Sequence, residues 1–393
     1  MFSKFCKMKK SVIIVGGGFA GLELIKRIGN SPRYDTILVD ANNYNFFPPL
    51  IYQVSTGFME PSAISYPFRK ILRNLKNTRF RLGSLIKVVP SENKIILSNG
   101  ELHYDILVMA TGTESSFFGN KNIEKYSLPM KTISDALTLR NTILTRLDRA
   151  TRQDDQEERK RLLTFVIAGA GPTGVELSGI LAEMKSSIIK KDYPELKEND
   201  LGNIYLIDGQ NTVLNTMSKN SQTYTHSKLI ELGVEIKLNC LVKDFKDDIV
   251  LLSNGSKIES KNLIWAAGVT AKAFDGFSPD SFGKGKRLKT NTFNLVKGYD
   301  NVYALGDCAL VLGDKEYPEG HPQLAQPAIQ QAKNLAINLE KDQGLWTPFA
   351  YKNKGSLAII GRNKAVFDLP KEKYFIKGFI AWLIWILVHI MGL

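Results

Sequence analysis

Six glycines and two aspartates carry the chemistry that can be read first. Gly16, Gly18 and Gly21 lie in the order G-x-G-x-x-G, and Asp40 follows 24 positions after Gly16. Gly169, Gly171 and Gly174 repeat the pattern, with Asp208 placed 39 positions after Gly169. Glycines in this spacing let backbone approach a pyrophosphate at a helix N-terminus, and an acid ending the next strand accepts hydrogen bonds from a ribose. The chemistry implied is the binding of two dinucleotides. A single such match also arises where a strand and a helix merely pack closely, so the duplication, with its matching acids, is the stronger observation.

The elements that must position these residues are legible around them. SVIIVGG, from Ser11 to Gly17, is a β-branched run, and an amphipathic stretch continues through Arg27. This predicts strand, tight turn and helix, followed by a second strand, TILV, that ends at Asp40. LTFVIAGAGPTG and NIYLID predict the same unit again. Its acid lies beyond the usual spacing of about 20 residues, so the intervening helix must be extended or carry an insertion around YPELKEND. KIILSNGELHYDILVMATG follows the first unit and DIVLLSNGSKIESKNLIWAAG the second, each with an Asn-Gly turn signal, at Asn99-Gly100 and Asn254-Gly255. Their closing glycines, Gly112 and Gly268, lie 96 and 99 residues beyond Gly16 and Gly169. The fold class expected is α/β, with two Rossmann-like dinucleotide-binding domains, β-meander insertions and a C-terminal amphipathic, membrane-anchoring helix. The expected boundaries are 9–125 and 286–345 for a discontinuous first domain, 126–285 for the second, and 346–393 for a C-terminal membrane-association region.

Two dinucleotide sites in one chain suggest one resident cofactor and one diffusible partner. NVYALGD, Asn301 to Asp307, resembles the closing FAD motif of the two-dinucleotide-binding flavoprotein superfamily, which implies FAD in the first unit with Asp307 on its ribityl chain. The second unit then takes NADH. Asp208 is followed by GQNT without an adjacent cation, and a carboxylate there repels the extra phosphate of NADPH. The segment NFFPPLIYQVSTGFMEPSAISYPFR contains no cysteine, which excludes the thiol chemistry of the superfamily's disulfide reductases. Cys240, expected in a strand, and Cys308, directly after Asp307, are read as small buried residues rather than as the cysteines of a sulfide:quinone oxidoreductase.

The same segment is similar to the type II NADH dehydrogenase family, in which Pro-Leu-x-Tyr-Gln-Val-x-Thr-Gly follows the second strand; here the stretch is Pro49 to Gly57. MKTISDALTLR, GAGPTGVELSGILAE, HPQLAQPAIQQAKNLAINL and KGSLAIIGRNKAVFDL also resemble that family, so the likeness runs nearly end to end. It implies transfer of hydride from NADH to FAD and of two electrons from FAD to a quinone, ubiquinone or menaquinone, without proton pumping. It further implies that Thr111, Gly112, Ala325 and Gln326 belong to the FAD site and Gly268 to the NADH site. Gln326 and Gln330 are the quinone-site candidates, since an amide donates to a quinone carbonyl without adding buried charge; for Gln330, capping of backbone near the flavin stands as the equal alternative. Glu176 is expected in the first turn of its helix, near nicotinamide and flavin. Glu23 holds the equivalent place in the first unit, so a helix-dipole carboxylate belonging to the repeated scaffold is the competing reading.

Composition narrows the partners. Lys and Arg exceed Asp and Glu by 52 to 39, giving +13, which suits an anionic surface. No zinc-finger spacing or RNA-binding aromatic motif accompanies the charge, so nucleic acid is not expected. Three scattered cysteines argue for a reducing compartment, and no apolar signal region precedes Ser11. No metal-type spacing occurs, and no metal is expected. After Lys371, Lys373 and Lys377 comes FIAWLIWILVHIMGL, which as a helix reaches only about 22 Å of the roughly 30 Å hydrocarbon core. Trp382 and Trp385 fit an interfacial helix on one leaflet, with a core or dimer-contact helix as the alternative. Expected, therefore, are peripheral attachment on the cytoplasmic side of the cell membrane, a lipid surface as partner, and a homodimer by family resemblance. The competing functions are a soluble flavin NADH oxidase or ferredoxin reductase relative and an NADH-sensing flavoprotein resembling apoptosis-inducing factor.

Overall fold

The computed structural model describes residues 9–370 and 374–392. Lys371, Lys373 and Cys6 lie outside the described residues. The described chain divides into two compact units: residues 9–46, 65–114 and 269–353 form the first, and 47–64, 115–268, 354–370 and 374–392 the second.

The first unit is built on a parallel five-stranded sheet in the order Val302–Ala304, Ile106–Met109, Lys10–Val15, Tyr34–Asp40, Thr78–Leu82. Val12, Ile13 and Ile14 are entirely buried. Unbroken apolar runs of this kind are what a parallel strand covered on both faces requires. Phe19–Ile28 and Ala325–Leu339 are helices, and Ala20, Leu24 and Ile28 of the one join Ala328, Ala332 and Leu335 of the other in a single core. Leu85–Val89, Lys94–Leu97 and Gly100–His103 form the antiparallel insertion, with Leu97 paired to Gly100 across the Ser98-Asn99 turn.

The second unit repeats the plan. Its parallel order is Leu128–Pro129, Asn262–Trp265, Phe165–Ala168, Ile204–Ile207, Val234–Lys237. The three-stranded insertion, Val242–Lys246, Ile249–Leu252 and Lys257–Glu259, recurs as well. The long interval before Asp208 is filled by helix: Pro172–Glu183 runs into a π-helical segment, Met184–Ile189, then Lys190–Asp192 and a 3-10 turn at Glu198–Asp200. Cys240 corrects one expectation. It lies between the Val234–Lys237 and Val242–Lys246 strands rather than within one, though it is buried.

The second unit also contains an antiparallel sheet of Ser356–Gly361, Lys364–Asp368 and Phe375–Lys377, followed by a helix, Gly378–Gly392. Gly179 makes one packing contact possible, since a Cβ there would stand 1.6 Å from the Ile360 carbonyl oxygen. The terminal helix is not buried all round. Ala381 and Trp385 face inward, while Phe379, Ile380, Leu383, Leu387, Val388 and Ile390 are exposed. No helix among the described residues is long and apolar enough to cross a membrane.

Candidate active site

Gly16 and Gly169 adopt φ +104° and +105°, a region that side chains avoid, so both turns leave their strands in the same way. A Cβ on Gly21 would come within 1.9 Å of the Gly16 carbonyl oxygen, and one on Gly174 within 1.8 Å of that of Gly169. Each third glycine thus allows the helix to sit directly on the turn. Gly18, Gly112 and Gly171 have open space where a Cβ would be, which leaves room for a ligand's approach.

The helix starts are distinctive. Thr132 and Ser218 cap the helices beginning at Ile133 and Lys219 through side-chain oxygens, whereas those beginning at Phe19, Pro172 and Ala325 have no side-chain cap. The first turn of a helix has no intrahelical acceptors for its N–H groups, and it is at such starts that phosphates and other electron-rich groups bind.

Both acids are bound to their turns in matching fashion. The Gly17 N–H donates to Asp40 Oδ2 at 2.7 Å and the Asn42 N–H to Oδ1 at 2.8 Å. The Ala170 N–H donates to Asp208 Oδ2 at 2.6 Å and the Gln210 N–H to Oδ1 at 2.8 Å. Asp208 is therefore the structural counterpart of Asp40 despite the longer spacing. Burial pushes the Asp40 carboxyl up, with backbone hydrogen bonds opposing the rise. This arrangement fits the adenosine-diphosphate portion of a dinucleotide in each unit.

The third FAD motif is held by residues that sequence reasoning missed. Gly306, at φ +70°, stands between Ala20 and Ala328, so a Cβ there would approach both methyls within 3.4 Å. The Gly306 N–H donates to Oε1 of Gln331, which is buried, at 2.7 Å. Gln323 Nε2 donates to the Asp307 carbonyl oxygen at 3.0 Å. Dehydration pulls the Arg287 guanidinium down and the Asp307 charge opposes it, which marks Arg287 as an electrostatic partner of Asp307. Thr111 and Gly112 hydrogen-bond toward Cys308, whose thiol is pushed up by burial. The Ala-Gln-rich pattern after His321 was the available signal for Gln331; the strand-to-helix contact that employs it was not.

Gln326 and Gln330 open the Ala325–Leu339 helix. Tyr351 Oη donates to Gln326 Oε1 at 3.3 Å. Gln330 is bound at both ends of its amide by one residue: Nε2 donates to the Lys352 carbonyl at 2.9 Å, and the Lys352 N–H donates to Oε1 at 3.0 Å. This is the backbone-fastening geometry weighed for it in the sequence.

Glu176 sits in the second turn of the Pro172–Glu183 helix, not the first, because Pro172 opens that helix. Its repeat-mate behaves differently. Glu23 pairs with Arg27 at 2.6 Å and Lys333 at 3.8 Å, while among the described residues no cation pairs with Glu176. Dehydration pushes the Glu176 carboxyl up to about 8, opposed by a hydrogen bond from the Ile359 backbone. Tyr52, buried in the Ile51–Ser55 helix, has its hydroxyl pushed up by burial and then by the charges of Glu176 and Glu183. Three family-like blocks far apart in sequence, around Tyr52, Glu176 and Ile359, therefore meet at one carboxyl. The two glutamates hold the same place in their helices, but their environments differ in charge and dehydration.

The family model for pyridine nucleotide-disulphide oxidoreductases matches residues 10–332. The chain is 33% identical to the type II NADH:quinone oxidoreductase Ndh of Mycobacterium tuberculosis, over 96% of this chain and 83% of that protein. It is 27% identical to the internal alternative NAD(P)H-ubiquinone oxidoreductase A1 of Arabidopsis thaliana, over 96% of this chain and 79% of that one. In fold it is similar to a structure of NDH2 from Plasmodium falciparum in complex with NADH, with a TM-score of 0.89, 24% identity, and coverage of 98% and 95% of the two chains. The duplicated turns, the acids bound to them and the likeness along almost the whole chain place this protein in the pyridine nucleotide-disulphide oxidoreductase family, among the type II NADH:quinone oxidoreductases.

Proposed function

We propose that this chain oxidises NADH and reduces a membrane quinone through bound FAD, without pumping protons. The observation that carries the reading is 33% identity over 96% of the chain to a type II NADH:quinone oxidoreductase. When bound, FAD supplies the two-electron relay between nucleotide and quinone.

The protein's own part is to hold, orient and exclude water. The Gly16–Gly21 turn and the uncapped Phe19 helix receive the FAD pyrophosphate, Asp40 its ribose and Asp307 its ribityl chain, with Thr111, Gly112 and Ala325 completing the site. Gly169, Gly171, Gly174, Asp208 and Gly268 do the same for NADH. Glu176 serves NADH docking, and its raised carboxyl keeps a proton near neutral pH, so it enters as a donor without charge. Gln326 offers its amide to the quinone, while Gln330 holds the start of its helix to Lys352.

The exposed stripe of Ile380, Leu383, Leu387 and Ile390 on the terminal helix is read as the face laid into one leaflet. His389 stacks on Trp385 at 4.0 Å and burial pulls its imidazole down, which keeps the inward side uncharged. Attachment is peripheral, on the cytoplasmic side, and a homodimer through the C-terminal region follows the family resemblance.

The test is NADH oxidation by the purified, FAD-loaded protein with a short-chain quinone, alongside NADPH and a quinone-free oxygen control. Fast quinone-dependent turnover selective for NADH is expected; flavin reduction without quinone turnover would overturn the reading.

A further inference from the structure

Phe118 is 73% exposed, the most exposed of the large hydrophobic side chains in the described residues. Its backbone is also unusual, with φ +50°, a left-handed conformation that costs a bulky residue energy. Exposure and strain at one aromatic residue persist only where the surroundings impose them, and such sites cluster where ligands bind.

The surroundings here are firmly built. The Ser116 N–H donates to the Gly268 carbonyl at 3.0 Å, and Trp265 Nε1 donates to the Ser116 carbonyl at 2.7 Å. Phe117 stacks on Trp265, with centroids 6.2 Å apart. On the other flank, the Asn120 N–H donates to the Phe117 carbonyl at 2.9 Å, and Asn120 Nδ2 to that of Lys243 at 2.7 Å. Between these anchors the Phe118 ring stands edge-on to Trp265 at 6.3 Å and covers Gly268, where a Cβ would come within 2.8 Å of the ring.

Its place in the sheet indicates what the ring would meet. Gly268 follows the Asn262–Trp265 strand, which lies beside Phe165–Ala168 and its glycine turn. The two loops touch, since a Cβ on Gly169 would come within 2.4 Å of the Ala266 carbonyl oxygen. The crevice between these neighbouring strands is the switch point at which doubly wound sheets bind their ligands. Asp208 ends the strand on the far side of Phe165–Ala168 and takes the adenosine ribose. A pyrophosphate on Gly169–Gly174 therefore directs the other half of the dinucleotide toward Gly268 and Phe118.

We propose that Phe118 is a binding residue for the nicotinamide half of NADH, its ring pre-set on the Ser116–Asn120 loop to contact the nicotinamide mononucleotide portion. This rests on the assignment of NADH to the second unit. Fixing the ring before binding spares the ordering cost that a free aromatic side chain would incur.

The test compares wild type with Phe118→Gly, Phe118→Ala and Phe118→Tyr as FAD-loaded proteins, measuring KM for NADH, KM for a short-chain quinone and Tm. Glycine accepts φ +50° without strain, so Phe118→Gly removes the ring while keeping the fold. Loss of one aromatic contact predicts a rise in NADH KM of roughly threefold to tenfold for the Gly and Ala variants, with quinone KM unmoved. Phe118→Tyr should stay near wild type. Unchanged NADH KM in a folded Phe118→Gly protein would overturn the assignment alone, as would a change confined to quinone KM. A wild-type protein that neither binds nor oxidises NADH would remove the assignment together with the functional reading beneath it.

Discussion

Replacing Glu176 by Gln tests the electrostatics of the site most directly. The carboxyl rises from 4.5 to about 8, chiefly by dehydration. At about 1.36 kcal/mol for each tenfold change in acidity, this corresponds to a ceiling of roughly 5 kcal/mol between the protonated and ionised folded states. Glu176 retains partial solvent access, so this figure is an upper bound. Because the folded-state value lies above the unfolded one, the contribution of the protonated carboxyl is complete below pH 4.5 and is lost as pH climbs through about 8. Gln is isosteric, cannot ionise and loses nothing over that range. For a chain of this size an unfolding entropy near 2 cal/mol/K per residue turns that bound of about 5 kcal/mol into at most about 6 °C. Scanning fluorimetry of wild-type and Glu176→Gln proteins from pH 5 to pH 9 should show the wild type losing up to that much Tm relative to the variant, with the change centred between 4.5 and 8. A difference between the two proteins that stays constant with pH would refute the dehydrated carboxyl, whatever the variant's activity.

Other consequences follow from the same geometry. Asp208→Asn removes the charge that accepts the Ala170 and Gln210 N–H groups, and charge-assisted bonds worth about 1.5–3 kcal/mol predict a rise in NADH KM of roughly tenfold or more, with weaker discrimination against NADPH; steady-state kinetics with both nucleotides checks this. Gln331→Ala leaves the Gly306 N–H unpaired at a cost of about 1–3 kcal/mol, so the variant should lose FAD on dilution or gel filtration where wild type retains it. Leu383→Asp combined with Leu387→Asp should abolish co-sedimentation with anionic vesicles while preserving turnover with a water-soluble quinone; vesicle binding equal to wild type would remove the terminal helix from the membrane contact.

Much of the architecture follows from local pattern. Unbroken β-branched runs such as Val12 to Val15 demand strands covered on both faces, and the glycines behind them demand a turn with positive φ and close helix approach. These requirements act locally along the chain, so the sequence by itself determined two dinucleotide-binding units, the acids Asp40 and Asp208 that bind their turns, and the hairpin at Asn254-Gly255, while in the first hairpin the turn falls one residue earlier than Asn99-Gly100, at Ser98-Asn99. It also carried the family resemblance. Tertiary structure decided what depends on distant partners. Only packing brings Tyr52 and Ile359 to Glu176, and the resulting loss of water, rather than any neighbour in sequence, separates that carboxyl from the ion-paired Glu23. Only the pairing of the Ala325–Leu339 helix with Tyr351, Lys352 and Gly306 distinguishes its three glutamines, Gln326, Gln330 and Gln331, from one another. Phe118 in sequence is one apolar residue in SSFFG; its exposure over Gly268 exists because Trp265 and Asn120 hold the loop from either side. Patterns of hydrophobicity and glycine spacing specify backbone paths, whereas dehydration, charge and the aim of a side chain are set by whatever the completed fold places around it.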